Sequence, residues 1–158
     1  MARAPDAIEV VVAAPDTADA RHCLGAYFRE LAARFDAGFD PARSISASDA
    51  EMTPPAGFSF LAREGEAVLG CGALKCGREG IGEVKRMWTA REARGRGVAR
   101  QVLRAIETSA REAGLARLRL ETNRSLVEAQ KLYRAEGFVE VPRFNDEPYA
   151  HHWFEKRL

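Results

Sequence analysis

The sequence carries no excess of charge of either sign: 24 Lys and Arg stand against 23 Asp and Glu, a formal charge of +1. Such a balance creates no long-range field to collect nucleic acid or anionic lipid, so a small-molecule partner is favoured over both. Cysteine is scarce, and Cys23, Cys71 and Cys76 are an odd number with no histidine at metal-ligand spacing. A disulfide framework and a metal site are therefore not expected, and the thiols are read as reduced and mostly buried. No apolar run approaches the roughly 20 residues that span a bilayer. The apolar stretch Ala7 to Ala14 is too short for a signal peptide, is broken by Glu9 and runs into Pro15 and Asp16, so it reads as a strand in a cytoplasmic protein. Repeats and low-complexity tracts are also missing.

What is there is a chain of 158 residues with 46% hydrophobic content, enough for one domain over 1–158 with one sizeable core. After a β-branched run from Ile8 to Ala13, the pair Pro15-Asp16 supplies a turn and an N-cap. Cys23, Leu24, Tyr27, Phe28, Leu31 and Phe35 then recur at helical spacing. From Asp36 to Pro55 periodicity fades, and a loop with at most one short helix is expected. Strands are predicted over Phe58 to Ala62, Ala67 to Lys75 and Gly82 to Thr89, with Gly65 turning the first hairpin. Val98, Val102, Leu103, Ile106 and Ala110 form a second helical stripe stopped by Gly114, and Leu115 to Glu121 returns to strand. Ser125-Leu126-Val127-Glu128 has the form of a capping box opening a third helix that ends at Gly137. Two final strands are read over Phe138 to Val141 and His151 to Phe154.

The segment from Met87 to Arg104 passes from strand through an Arg- and Gly-rich turn into a helix, an arrangement that presents free backbone N–H groups to an anion. Gly95 and Gly97 let a phosphate approach the backbone, and Ala99 keeps the first helical turn uncrowded. Lys85, Arg86, Arg91, Arg94, Arg96, Arg100 and Arg104 face only Glu92 in this stretch, which points to a phosphate-bearing ligand. The dinucleotide fingerprint G-x-G-x-x-G and the nucleotide loop G-x-x-x-x-G-K-[ST] are both absent.

Arg94, Gly97 and Ala99 match the pattern [RQ]-x-x-G-x-[GA], and Asn123, Ala129, Leu132, Tyr133, Gly137 and Phe138 match N-x5-A-x2-LY-x3-GF further on. On these two motifs the chain resembles the GNAT superfamily of N-acetyltransferases, and its tail from Phe144 to Lys156 resembles a bacterial branch of unassigned substrate. The resemblance implies an α/β (α+β) fold: a mixed, mostly antiparallel six- to seven-stranded sheet flanked by about four helices. It implies acetyl-CoA as acyl donor, a primary amine of a small molecule as acceptor, and transfer without a metal. Homodimers are frequent in that family. Two other functions remain open, a non-catalytic coenzyme A-binding sensor and a protein lysine or N-terminal acetyltransferase.

The resemblance also implies roles. Backbone groups of Met87, Trp88 and Thr89 would line the pantetheine arm, and the amides of Arg94, Gly95, Arg96, Gly97, Val98 and Ala99 would hold the pyrophosphate. Tyr133 would protonate the departing thiolate, although its place on the apolar stripe also suits plain core packing. Asn123 would bind the pantetheine amides or serve a structural turn. Glu83 is the candidate base. Strand alternation puts Glu83, Lys85, Met87 and Thr89 on one face, so Glu83 could instead pair with Lys85. Tyr27, Phe28, Asn145 and Tyr149 are candidates for the acceptor site, the alternative for the tail being an ordered surface turn. His151 and His152 point to opposite faces of a strand and cannot serve one site together.

Overall fold

The computed structural model describes residues 7–158, so residues 1–6 of the single domain expected over 1–158 lie outside the described residues. Seven strands form one sheet in the order β1-β2-β3-β4-β5-β7-β6. β1 (Glu9–Val12), β2 (Gly57–Glu64), β3 (Ala67–Cys76) and β4 (Ile81–Thr89) pair antiparallel in succession. β5 (Arg117–Thr122) then lies parallel to β4, and β7 (His152–Arg157) and β6 (Val139–Val141) complete the sheet antiparallel.

Three α-helices accompany the sheet among the described residues: α1 (Ala18–Arg34), α2 (Val98–Glu112) and α3 (Val127–Ala135). The expectation of about four helices is corrected here. The segment after α1 supplies only single 3-10 turns at Pro41–Arg43 and Ala50–Met52, since the stretch Ser44-Ile45-Ser46-Ala47-Ser48-Asp49 between them has no helical apolar period and is rich in serine, which competes for backbone hydrogen bonds. The first helix begins later than Pro15-Asp16 suggested, with the Thr17 hydroxyl accepting from the Ala20 amide at 3.2 Å. The capping box expected at Ser125 to Glu128 does not form. Leu126 is the residue before α3 and gives no side-chain cap, while Glu128 reaches Arg34 at 2.8 Å.

Alternation along the strands sorts the helices to opposite faces of the sheet. Phe60, Ala62, Leu74 and Val84 pack with Val98, Val102, Leu103 and Ile106 of α2, and the cluster continues to Leu118, Leu120, Tyr133, Phe138 and Phe154. Leu61 and Cys71 face the other way and meet Cys23 of α1. Gly72 sets how closely α2 can approach. A Cβ there would lie 2.6 Å from Val102 Cγ1 and 2.7 Å from Met87 Sδ, so any side chain would push the helix off the sheet.

Two irregularities in β4 shape the centre. Cys71 pairs with Trp88 and Ala73 with Lys85, so three steps on β4 oppose two on β3, and Arg86 takes φ +56° at the bulge. The Cys71 thiol donates to the Arg86 carbonyl at 3.1 Å and braces it. The bulge overturns the alternation expected from sequence: Met87 is turned to the α2 face with Val84, away from Glu83 and Lys85. Secondly, β4 and β5 pair only over Ile81–Glu83 and Arg117–Arg119, after which the two strands part.

Candidate active site

Where β4 and β5 part, a cavity of about 130 Å³ opens. Its walls come from α1, the segment around Pro41 to Ala47, the far ends of β4 and β5, the start of α3, and the tail around Glu147 and Tyr149. Tyr133 is 6% exposed, its ring packed at 5.8 Å from Phe138 and 6.2 Å from Phe154. The ring belongs to the core, the packing weighed from sequence, and the residue also lines the cavity. Its hydroxyl makes no hydrogen bond to a protein group among the described residues, and burial, reinforced by the nearby Glu121 carboxylate, raises the phenol well above its ordinary value. Burial does the same at Tyr27, with Tyr133 as the next contributor. A phenol is protonated at neutral pH without any shift, and burial moves both of these further in that direction.

The carboxylates of the cavity are Glu121 and Glu147. Glu121, on β5, accepts from Lys85 Nζ at 3.1 Å, and the same ammonium lies 3.7 Å from Glu83. Glu83 thus forms the ion pair weighed from sequence, and its side chain is outside the cavity lining. Glu147, 7% exposed, accepts from the Ser44 hydroxyl at 2.9 Å and from the Ile45 amide at 2.6 Å, tying the tail to the segment after α1.

Along the coenzyme side suggested by the sequence, Gly95 and Gly97 adopt φ +79° and +78°, and no atom stands within 4 Å of where their Cβ atoms would be. Gly97 precedes α2 with no side-chain cap, and none of the amides from Gly95 to Arg100 donates to another protein group among the described residues. Val98 is buried and anchors the loop, whereas Ala99 is half-buried. Arg94 and Arg96 pair with Glu30 and Glu64 on the surface, contacts weak enough to exchange for an anion. Met87 lines the cavity; Trp88 packs with Leu61 and Cys71, and Thr89 pairs with Gly70 at the end of β4.

Among the acceptor candidates, Tyr27, Phe28 and Tyr149 line the cavity. Asn145 does not: its amide oxygen accepts from Trp153 Nε1 at 2.9 Å and from the Glu147 amide at 3.3 Å, a buttress for the tail. Asn123 lines the cavity with both ends engaged, Nδ2 donating to the Tyr149 carbonyl at 2.7 Å and Oδ1 accepting from the Ser125 amide at 2.9 Å. Its structural alternative accounts for these contacts. Glu147, one of the tail residues expected from sequence to line the acceptor site, does line the cavity, whereas sequence reasoning missed Glu121 and Phe39 and read Phe35 only as part of the apolar face of α1. A carboxylate near the end of a strand carries no local signal, and Phe39 lies in a segment without periodicity.

The model of the acetyltransferase (GNAT) family matches residues 24–138, which spans the glycine loop, Glu121 and Tyr133. The chain belongs to the GNAT family of acetyltransferases. This GNAT chain is 41% identical over 112 residues to a protein named IAA acetyltransferase from Azospirillum brasilense, covering 70% of the chain and 72% of that relative. Its fold is similar to an acetyltransferase of the GNAT family from Staphylococcus aureus Mu50, with a TM-score of 0.80 at 16% identity, covering 96% and 99% of the two chains. It is also similar to N-acetylglutamate synthase from Neisseria gonorrhoeae, complexed with coenzyme A and N-acetyl-glutamate. There the TM-score is 0.69 at 18% identity, over 95% of this chain and 35% of that one. The GNAT protein is an acyltransferase with N-acetyltransferase activity. No helix among the described residues is long and apolar enough to cross a membrane, and no group of three or more metal-ligating side chains occurs among them.

Proposed function

We propose that the protein transfers an acetyl group from acetyl-CoA to a primary amine of a small molecule, within one domain and without a metal. The observation that carries this reading is the meeting, in the gap between β4 and β5, of a protonated Tyr133 phenol with the Glu121 carboxylate. The donor fits the loop: open space at Gly95 and Gly97 and the undirected amides from Gly95 to Arg100 suit a diphosphate. A coenzyme complex in a structural neighbour supports the same assignment. When bound, acetyl-CoA supplies an acetyl group activated as a thioester.

The protein's own groups supply orientation and the proton transfers. Glu121 takes the proton of the acceptor's ammonium, so that a neutral amine is present to attack the acetyl carbon. Glu83, the carboxylate expected from sequence, is joined to Glu121 through Lys85 and steadies that ammonium from behind. As the carbon–sulfur bond breaks, Tyr133, a phenol that is neutral at pH 7, gives its proton to the sulfur and takes in return the second proton that the nitrogen sheds on becoming an amide, so that one proton, the one held by Glu121, is released overall. Asn123 holds the tail against the end of β5, and Met87 faces the donor's arm.

Acetyl-CoA at about 100 times its dissociation constant is expected to stabilise the fold by roughly 2.7 kcal/mol, read from the melting curve. In Tyr133→Phe that stabilisation persists while kcat falls by about 100-fold or more. An unshifted melting curve for the wild-type chain overturns the donor assignment, and unchanged turnover in the variant returns Tyr133 to the core alone.

A further inference from the structure

The acceptor side of the cavity is walled by aromatic rings in mutual contact. Tyr27 and Phe28 of α1 lie 5.8 Å apart, Phe28 continues to Phe39 at 5.6 Å, and Phe39 meets Tyr149 at 4.9 Å, with Phe35 at 5.8 Å from both Phe39 and Tyr149. All five line the cavity. The Tyr149 hydroxyl accepts from the Asp40 amide at 3.0 Å and so fixes its ring.

The charges around this wall are unevenly committed. Lys85 is held by Glu121 and Glu83, and the Arg86 guanidinium donates to the Ala47 carbonyl at 2.9 Å with Asp49 at 3.7 Å. Among the described residues the cavity's cations are Lys85, held between two carboxylates, and Arg86, for which an acceptor's anionic group would have to compete with Ala47 and Asp49. Glu147 is occupied by Ser44, Ile45 and the Tyr149 amide. Glu121 uses Oε1 on Lys85, and Oε2 has no protein hydrogen bond among the described residues. One anionic atom is thus available for one ammonium. The cavity, at about 130 Å³ in all, leaves room for no more than one ring on the acceptor side, since a cavity on the order of 150 Å³ takes up a single benzene.

We propose that the acceptor is a primary arylalkylamine, with one ring seated against Phe28, Phe39 and Tyr149 and its ammonium brought to Glu121 by a short alkyl link. The inference rests on the acetyl-transfer reading above and narrows its acceptor. Rings stack offset or edge-on at such a wall, adding to the burial of their area. A polyamine would bring a second ammonium to a wall whose other carboxylate, Glu147, is occupied by Ser44, Ile45 and Tyr149, and an amino acid's carboxylate would have to compete with Ala47 and Asp49 for Arg86.

The test uses the intact chain saturated with acetyl-CoA and follows thiol release with four probes: 2-phenylethylamine, ethylamine, spermidine and lysine. Binding of 2-phenylethylamine is measured separately by calorimetry. The kcat/KM for 2-phenylethylamine is expected to exceed that of each other probe by about tenfold or more, as the transfer of one ring from water implies. Phe39→Ala should draw the ratio of 2-phenylethylamine to ethylamine towards one and weaken calorimetric binding by about tenfold. If Phe39→Ala does not fold, Tyr149→Leu probes the same wall with the same expected result. Faster turnover of spermidine or lysine, or a ratio untouched in the folded variant, overturns the arylalkylamine and leaves acetyl transfer standing. Thiol release from none of the four, with the melting shift by acetyl-CoA retained, overturns the amine-transfer reading and this inference with it.

Discussion

The two ends of the candidate site are built by different means. The end beside α2 lies outside the cavity lining and is made of backbone: unpaired amides from Gly95 to Arg100 among the described residues, glycines at positive φ, and a helix seated by the absence of a side chain at Gly72. The end beside α1 is made of side chains brought together from distant parts of the chain, with Glu147 reaching Ser44 and Ile45 across about a hundred residues and Tyr149 stacked on Phe39. A diphosphate is the same in every donor, and backbone geometry can grip it whatever the surrounding side chains. An acceptor varies, so its end must be specified by side chains.

The comparison is broken most severely at Gly97. In Gly97→Asp a carboxylate and a Cβ enter at a left-handed position in the amide nest, and the stabilisation by acetyl-CoA is expected to vanish. Retained coenzyme binding by calorimetry would sink the division between the two ends. Glu147→Ala cuts the tie on the acceptor side and leaves the Ile45 amide and Ser44 hydroxyl without their acceptor, at a cost of about 1–3 kcal/mol. The acceptor KM should rise by about tenfold or more while the coenzyme dissociation constant stays the same, a split seen in steady-state kinetics. The smallest effect is with acid. Hydrogen bonds from Lys75 and then the Ser48 amide hold Glu51 at about 2, below its ordinary 4.5. Because the folded value is depressed, this latch is intact above pH 4.5 and is lost as pH falls through about 2. Amide protection, taken relative to the intrinsic exchange rate at each pH, should fall around Glu51 over that window before it falls in α2, and equal onset in both would erase the contrast.

The same contrast decides what the sequence could disclose. The loop, α2 and Tyr133 were legible because glycine demand, helical period and motif spacing are local properties. The strands were legible from their apolar runs, to within a few residues at each end. The bulge at Arg86 was not, since a single left-handed residue in a strand leaves no periodic trace, and it reversed the side assigned to Met87. Glu121 was hidden for a related reason. Glu83 was singled out at the strand's start, yet the parting of β4 from β5 places the carboxylate of the neighbouring strand in the cavity instead. Ser125 and Glu128 had the spacing of a cap, but Asn123, two residues back, claims the Ser125 amide, and Arg34 of α1, a partner no local pattern discloses, claims Glu128.

The brief parallel pairing of Ile81–Glu83 with Arg117–Arg119 splits the sheet along one seam only. Beyond it β4 keeps its hydrogen bonds to β3 and gives up those to β5, so one edge of the strand, about 20 Å from Glu83 to Thr89 at the usual rise per residue, faces the gap. The backbone of that edge can therefore take a bound molecule where a neighbouring strand would otherwise lie.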